Sequence, residues 1–153
     1  MAHLRSQSPA VLLVVEDDPG DQILIQESFA AGPHPKLIRL VRDGEEALEY
    51  LQRTNRYASP AEAPRPDLIT LDLNMPRLGG KELLARLQAD PVLRSIPTVA
   101  LTTSCLEEDV ALCYAMGVNS FVQKPTDFND FQEVIQHLEH YWLQVSLFPP
   151  RRE

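Results

Sequence analysis

The chain has 153 residues, 44% hydrophobic and 24% charged, and 14 Lys and Arg against 22 Asp and Glu leave a net charge of −8. That length suits one ordinary core, and an acidic chain without a basic stripe is a poor partner for nucleic acid or an anionic membrane surface. The apolar runs fall far short of the roughly 20 residues that cross a bilayer, Met1 to Ser8 lacks a signal-peptide core, and Cys105 and Cys113 fit no disulfide or metal framework, so the expectation is a cytoplasmic protein with reduced thiols.

Residues 1–9 read as an N-terminal extension ending at Pro9. Ala10 to Val15 is a continuous apolar run, the pattern of a strand buried on both faces, and it ends on Glu16, Asp17 and Asp18. Pro19-Gly20 breaks it and opens a helix to about Ala31, since Pro and acids suit a helix N-terminus. Leu24, Ile25, Ser28 and Phe29 share one face of that helix. Lys36 to Val41 is a second, more polar strand placed near an edge. Asp43-Gly44 opens a helix from Glu45 to about Arg53, with Ala47, Leu48 and Leu51 inward. Residues 54–66 carry Pro60, Pro64 and Pro66 without periodicity, a long loop.

Residues 67–73 form the third strand, which delivers Asp72 to its end before Met75-Pro76 and a Gly79-Gly80 turn. A helix over about Lys81–Gln88 turns Leu83, Leu84 and Leu87 inward, and a proline-punctuated connector covers 90–97. The fourth strand, Thr98–Thr103, ends on hydroxyls; the helix Glu107–Met116 closes on Gly117. The fifth strand, Asn119–Gln123, ends at Lys124-Pro125. Thr126-Asp127 caps a last helix to about Gln144, with Phe128, Phe131, Val134, Ile135, Leu138, Tyr141 and Trp142 on its apolar face.

Five strands alternating with helices imply a doubly wound α/β fold, a parallel sheet with helices on both faces and right-handed crossovers. Parallel strands bring their carboxyl ends to one rim, where open α/β folds bind ligands. There the sequence delivers Glu16 and Asp17, Asp72, Thr102 and Lys124. Clustered carboxylates favour a hard divalent cation such as Mg²⁺. One carboxylate can be a nucleophile toward a phosphoryl group, whose oxygens an ammonium and a hydroxyl would stabilise. Each piece alone is commonplace, because acids after strands cap helices and a Lys before Pro is usually solvated. The set, each member at a strand end, is specific.

Val14-Val-Glu-Asp-Asp18, Asp72-Leu-Asn-Met-Pro76, Thr102 thirty positions after Asp72, and Lys124-Pro125 together resemble the receiver domain of two-component response regulators over residues 10–144. The resemblance implies a flavodoxin-like five-stranded sheet in the order 2-1-3-4-5 and Asp72 as phosphoacceptor, with Lys124 and Thr102 as its catalytic partners. It also implies Mg²⁺ or Mn²⁺ on Asp17, Asp72 and the backbone carbonyl of Asn74, with Glu16 acting through a water. Thr102 and Phe121 would form the switch, and Pro125 would follow a cis peptide bond. The implied partner is a sensor histidine kinase, and the output face is the fourth helix, fifth strand and fifth helix. Such a protein is not an enzyme beyond its own phosphorylation and dephosphorylation.

The Pro-rich loop, Leu101-Thr-Thr-Ser104 and the ending Tyr141-Trp142-Leu-Gln-Val-Ser-Leu147 are most similar to regulators paired with bacterial phytochrome kinases. Three positions depart from the commoner pattern: Glu16 replaces Asp, Gly79 loosens the turn, and Thr103 stands where a smaller residue is usual, so the kinetics of phosphoryl loss should be unusual for the family. Phosphatases of the haloacid dehalogenase type also use an aspartyl nucleophile, but they need a second Asp where Asn74 stands. No Gly-rich phosphate loop follows the first strand. Residues 145–153 form a tail. Tyr141, Trp142, Val145, Leu147 and Phe148 either fold back on the domain or cover a second copy. The favoured expectation is a homodimer through the tail and the output face.

Overall fold

The computed structural model describes residues 9–152, so the expected N-terminal extension lies, Pro9 apart, outside the described residues. The strands are β1 (Ala10–Val15), β2 (Lys36–Val41), β3 (Leu68–Leu71), β4 (Thr98–Thr102) and β5 (Ser120–Gln123). The helices are α1 (Pro19–Ala30), α2 (Gly44–Gln52), α3 (Gly80–Ala89), α4 (Glu107–Ala115) and α5 (Phe128–His140). All strand pairs are parallel, in the order β2-β1-β3-β4-β5.

The period of two in the strands sorts the core into two layers. Leu12, Val14, Leu68, Val99 and Leu101 face Ile25 and Phe29 of α1 and Phe131 and Ile135 of α5. Their neighbours Leu13, Val15, Ile69, Leu71 and Ala100 face Leu48, Leu51, Leu83, Leu84, Leu87 and Cys113 of α2, α3 and α4. Side-chain caps define the helix starts: Asp18, Asp43 and Asp127 accept from the backbone N–H groups of Asp21, Glu46 and Asp130, each worth about 1 kcal/mol. Gly117 ends α4 at φ +91°, a conformation that L side chains rarely adopt.

The long loop is better ordered than its composition predicts. A short 3₁₀ turn spans Asn55–Tyr57. Tyr50 Oη donates to Pro64 O at 2.7 Å and Tyr57 Oη to Glu46 at 2.8 Å, pinning the loop to α2. Two members of the expected α5 face point outward: Phe128 is 61% exposed and Tyr141 is 50% exposed. Phe128 begins the helix, and Tyr141 lies on the flank, seven residues after half-buried Val134. Beyond α5 the helical run widens into a π turn over Tyr141–Val145. Ser146 N donates to Tyr141 O at 2.7 Å. The wider turn lets consecutive Trp142 and Leu143 both face the core.

The tail divides between the two readings the sequence left open. Trp142 stacks on Phe148 at 6.4 Å between ring centroids, within one chain. Tyr141, Val145 and Leu147 stay exposed. Arg151 then reaches the amino end of the sheet, where it grips Asp67 at 2.9 and 2.7 Å. Among the described residues no helix is long and apolar enough to cross a membrane.

Candidate functional site

At the carboxyl edge, β1 ends at Val15 and β3 at Leu71, which pair in register, so Glu16 and Asp72 emerge side by side. The Asp72 N–H donates to Val15 O at 3.1 Å, fixing the acid directly after the ladder. Glu16 and Asp72 are buried and Asp17 is half-buried. Each of the three offers an oxygen within 4.8 Å of the others. Among the described residues this is the one group of acidic, His or Cys side chains so gathered. Carboxylate oxygens at this separation fit a hard divalent cation by donor type and charge.

Lys124 follows the end of β5, and its backbone N–H donates to Thr102 O at 2.8 Å, tying the ends of β4 and β5 together. Its buried ammonium meets Glu16 at 2.6 Å, Asp21 at 2.9 Å and Asp72 at 3.3 Å. Burial disfavours the charged form of Lys124, but the bonds to Glu16 and Asp21 and the charge of Asp72 outweigh it, and the pKa is raised. Burial pushes Glu16 the other way for an acid, up to about 7, although Lys124 and the Asp18 N–H pull against the rise. A site with four carboxylates and one ammonium carries surplus negative charge and is receptive to further cationic charge.

The remaining expected residues lie on the same rim or just beneath it. Thr102 is buried at the end of β4, and its Oγ1 accepts a long bond of 3.5 Å from the Ser104 N–H, while Thr103 is exposed. Phe121 is half-buried against the layer beneath α3 and α4, and its N–H donates to Tyr114 Oη at 3.2 Å. The Asn74 N–H donates to Asp72 Oδ1 at 3.2 Å and so turns the chain over the acid. Gly80 permits this closeness, since a Cβ there would meet the Asp72 carbonyl oxygen at 2.5 Å. Gly79 has φ −78° and ψ 171°, ordinary extended backbone, so the freedom expected of it goes unused.

One expectation is corrected. The described residues contain no cis peptide bond, so the bond before Pro125 is trans, the form an X–Pro amide favours by about 0.5–1 kcal/mol.

Asp21 is the site residue that the sequence reading missed. It sits in the first turn of α1, four positions after Asp17 and three after the Asp18 cap. That spacing was the available signal, hidden because an acid in a first turn ordinarily serves the helix dipole.

Comparison with known proteins places this geometry. The family described as response regulator receiver domain matches residues 12–136. Response regulator Rcp1 of Synechocystis sp. is 38% identical over 145 residues, covering 95% of this chain and 97% of that one. The crystal structure of the phosphorylated cyanobacterial phytochrome response regulator RcpA superposes with a TM-score of 0.88 at 38% identity, over 93% of this chain and 99% of that one. The Mn²⁺-bound form of response regulator Rcp1 superposes with a TM-score of 0.87 at 38% identity, over 92% and 99% of the two chains. With the sheet order, the acids at its rim and this likeness along nearly its whole length, the chain belongs to the response regulator receiver domain family.

Proposed function

We propose that the chain is a single-domain response regulator of phytochrome-type signalling that accepts a phosphoryl group on Asp72 from a sensor histidine kinase in the cytoplasm. The observation that carries this reading is the Lys124 ammonium, 3.3 Å from Asp72 and 2.6 Å from Glu16, on a rim where Asp17 adds a third carboxylate. The likeness to RcpA, a phytochrome response regulator, supports the choice of partner.

An Asp72 carboxylate oxygen attacks the phosphorus of a phosphohistidine. An O–P bond forms, the P–N bond breaks, and its electron pair stays on the imidazole nitrogen, leaving an acyl phosphate. Lys124 holds a phosphoryl oxygen by charge, and the Thr102 hydroxyl donates a hydrogen bond to another. Glu16, Asp17, Asp72 and the Asn74 carbonyl would hold Mg²⁺ or Mn²⁺, which supplies positive charge to the phosphoryl oxygens when bound. Donor chemistry here, and the Mn²⁺-bound form of the similar Rcp1, support that choice. Asn74 in place of a second Asp supports a signalling protein rather than a phosphatase of added esters.

Movement of Thr102 and Phe121 then alters the face of α4, β5 and α5, a coupling of about 1–3 kcal/mol. Leu106, Leu112 and Tyr114 stand exposed there, the apolar area that a protein partner would cover. Asp72→Asn should abolish uptake of phosphate from acetyl phosphate or a cognate kinase on Phos-tag gels; label retained by that variant refutes the assignment.

The same reading includes a homodimer through this face and the tail, supported by exposed Tyr141, Val145 and Leu147. Leu147→Asp leaves the buried Trp142 and Leu143 in place and should lower the mass seen by light scattering from dimer to monomer. A wild-type monomer removes the idea.

A further inference from the structure

Lys124 has three ammonium protons and three carboxylate partners: Glu16 at 2.6 Å, Asp21 at 2.9 Å and Asp72 at 3.3 Å. Its donors are therefore fully committed. Phosphorylation makes Asp72 a neutral acyl group and releases its hold on the ammonium. The more highly charged phosphoryl oxygens lie beyond the acyl oxygen, so the ammonium must turn toward them against the pull of Glu16 and Asp21. Glu16 is buried and held from a second side, because it accepts from the Asp18 N–H at 3.1 Å. Asp21 is the partner best able to yield, since its side chain is 29% exposed and water can replace its bond. Its backbone N–H is bound to the Asp18 cap, so the start of α1 does not depend on the Asp21 carboxylate.

We propose that Asp21 is a positioning residue that competes with the phosphoryl group for the Lys124 ammonium. In the unphosphorylated protein it holds the ammonium partly toward α1. On phosphorylation its bond to the ammonium resists the turn toward the phosphoryl oxygens, while its own negative charge opposes the arriving anion. Both effects have one sign: the Asp21 carboxylate weakens the hold on the phosphoryl group. This inference rests on the reading of Asp72 as phosphoacceptor and adds what sets the strength of phosphoryl binding.

The test uses the full chain, with beryllium fluoride titrated calorimetrically in Mg²⁺ as the phosphoryl mimic and acetyl phosphate as the donor. A partly exposed charge competing for one donor predicts that Asp21→Asn binds beryllium fluoride about fivefold tighter and is phosphorylated about fivefold faster. Asp21→Ala should move both quantities the same way, and Asp21→Glu should restore wild-type behaviour. In metal-free protein, the Lys124 ammonium protons of Asp21→Asn should exchange with water faster by nitrogen-15 NMR, a change that a merely structural role in α1 would not produce. Unchanged or weaker binding in both neutral variants overturns the competition while leaving Asp72 as acceptor. A wild type that takes up no phosphate on Asp72 overturns both readings.

Discussion

The two ends of the sheet solve the same problem differently. At each, a long basic side chain reaches a buried acid beside β1 and β3. At the amino end, Arg151 forms two bonds with Asp67, whose Oδ2 also accepts from the Val11 N–H at 2.9 Å. Among the described residues Arg151 is the cation on Asp67, and the Val11 N–H and the Pro9 carbonyl also bond the pair. At the carboxyl end, one ammonium serves Glu16, Asp21 and Asp72 with Asp17 close by. A balanced pair holds chain segments together; a surplus of like charge raises the energy of the resting site and favours ligands that supply the missing positive charge. The amino end thus reads as fastening and the carboxyl end as chemistry.

The largest test of that contrast is Lys124→Met. Loss of the charge aimed at the phosphoryl oxygens should slow phosphorylation from acetyl phosphate by about 100-fold. A loss below a few-fold would mean the ammonium is structural, like its counterpart at the other end. Next comes Arg151→Met, which leaves the Asp67 carboxylate buried without its cation. Urea unfolding should register a loss of about 2 kcal/mol, with phosphorylation kinetics unchanged. Slower phosphorylation would show that the two ends are coupled.

The smallest effect is a pH dependence at the carboxyl end, measured in chelator. Burial raises Glu16 from its ordinary 4.5 to about 7 in the folded chain, so between those values the folded state binds the extra proton. Its contribution is therefore greatest at low pH and is lost as pH rises through about 7. Relative to Glu16→Gln, the wild type should lose stability over that window; parallel curves would remove the burial account.

The rim was largely legible because each expected group terminates an apolar run. Glu16, Asp72, Thr102 and Lys124 could be placed on one edge once the strands were parallel. Asp21 escaped because it lies inside a helix, where an acid has a local explanation. The pairs Asp67–Arg151 and Lys36–Glu139 join residues 84 and 103 positions apart, and no periodic pattern relates them. Glu139 interrupts the apolar pattern of α5, yet it is buried, 3.4 Å from the Lys36 ammonium.

By itself the sequence determined the alternation of strands and helices, the two-layer core and the acids that reach the carboxyl rim. Those features rest on backbone periodicity and on the burial of apolar runs, which act over a few residues. Tertiary structure decided the rest: which carboxylates share Lys124, that the tail turns back to place Trp142 against Phe148, and that Arg151 meets Asp67. Such choices depend on distances across the folded sheet, where the free energy of a charge is set by neighbours the chain order does not reveal.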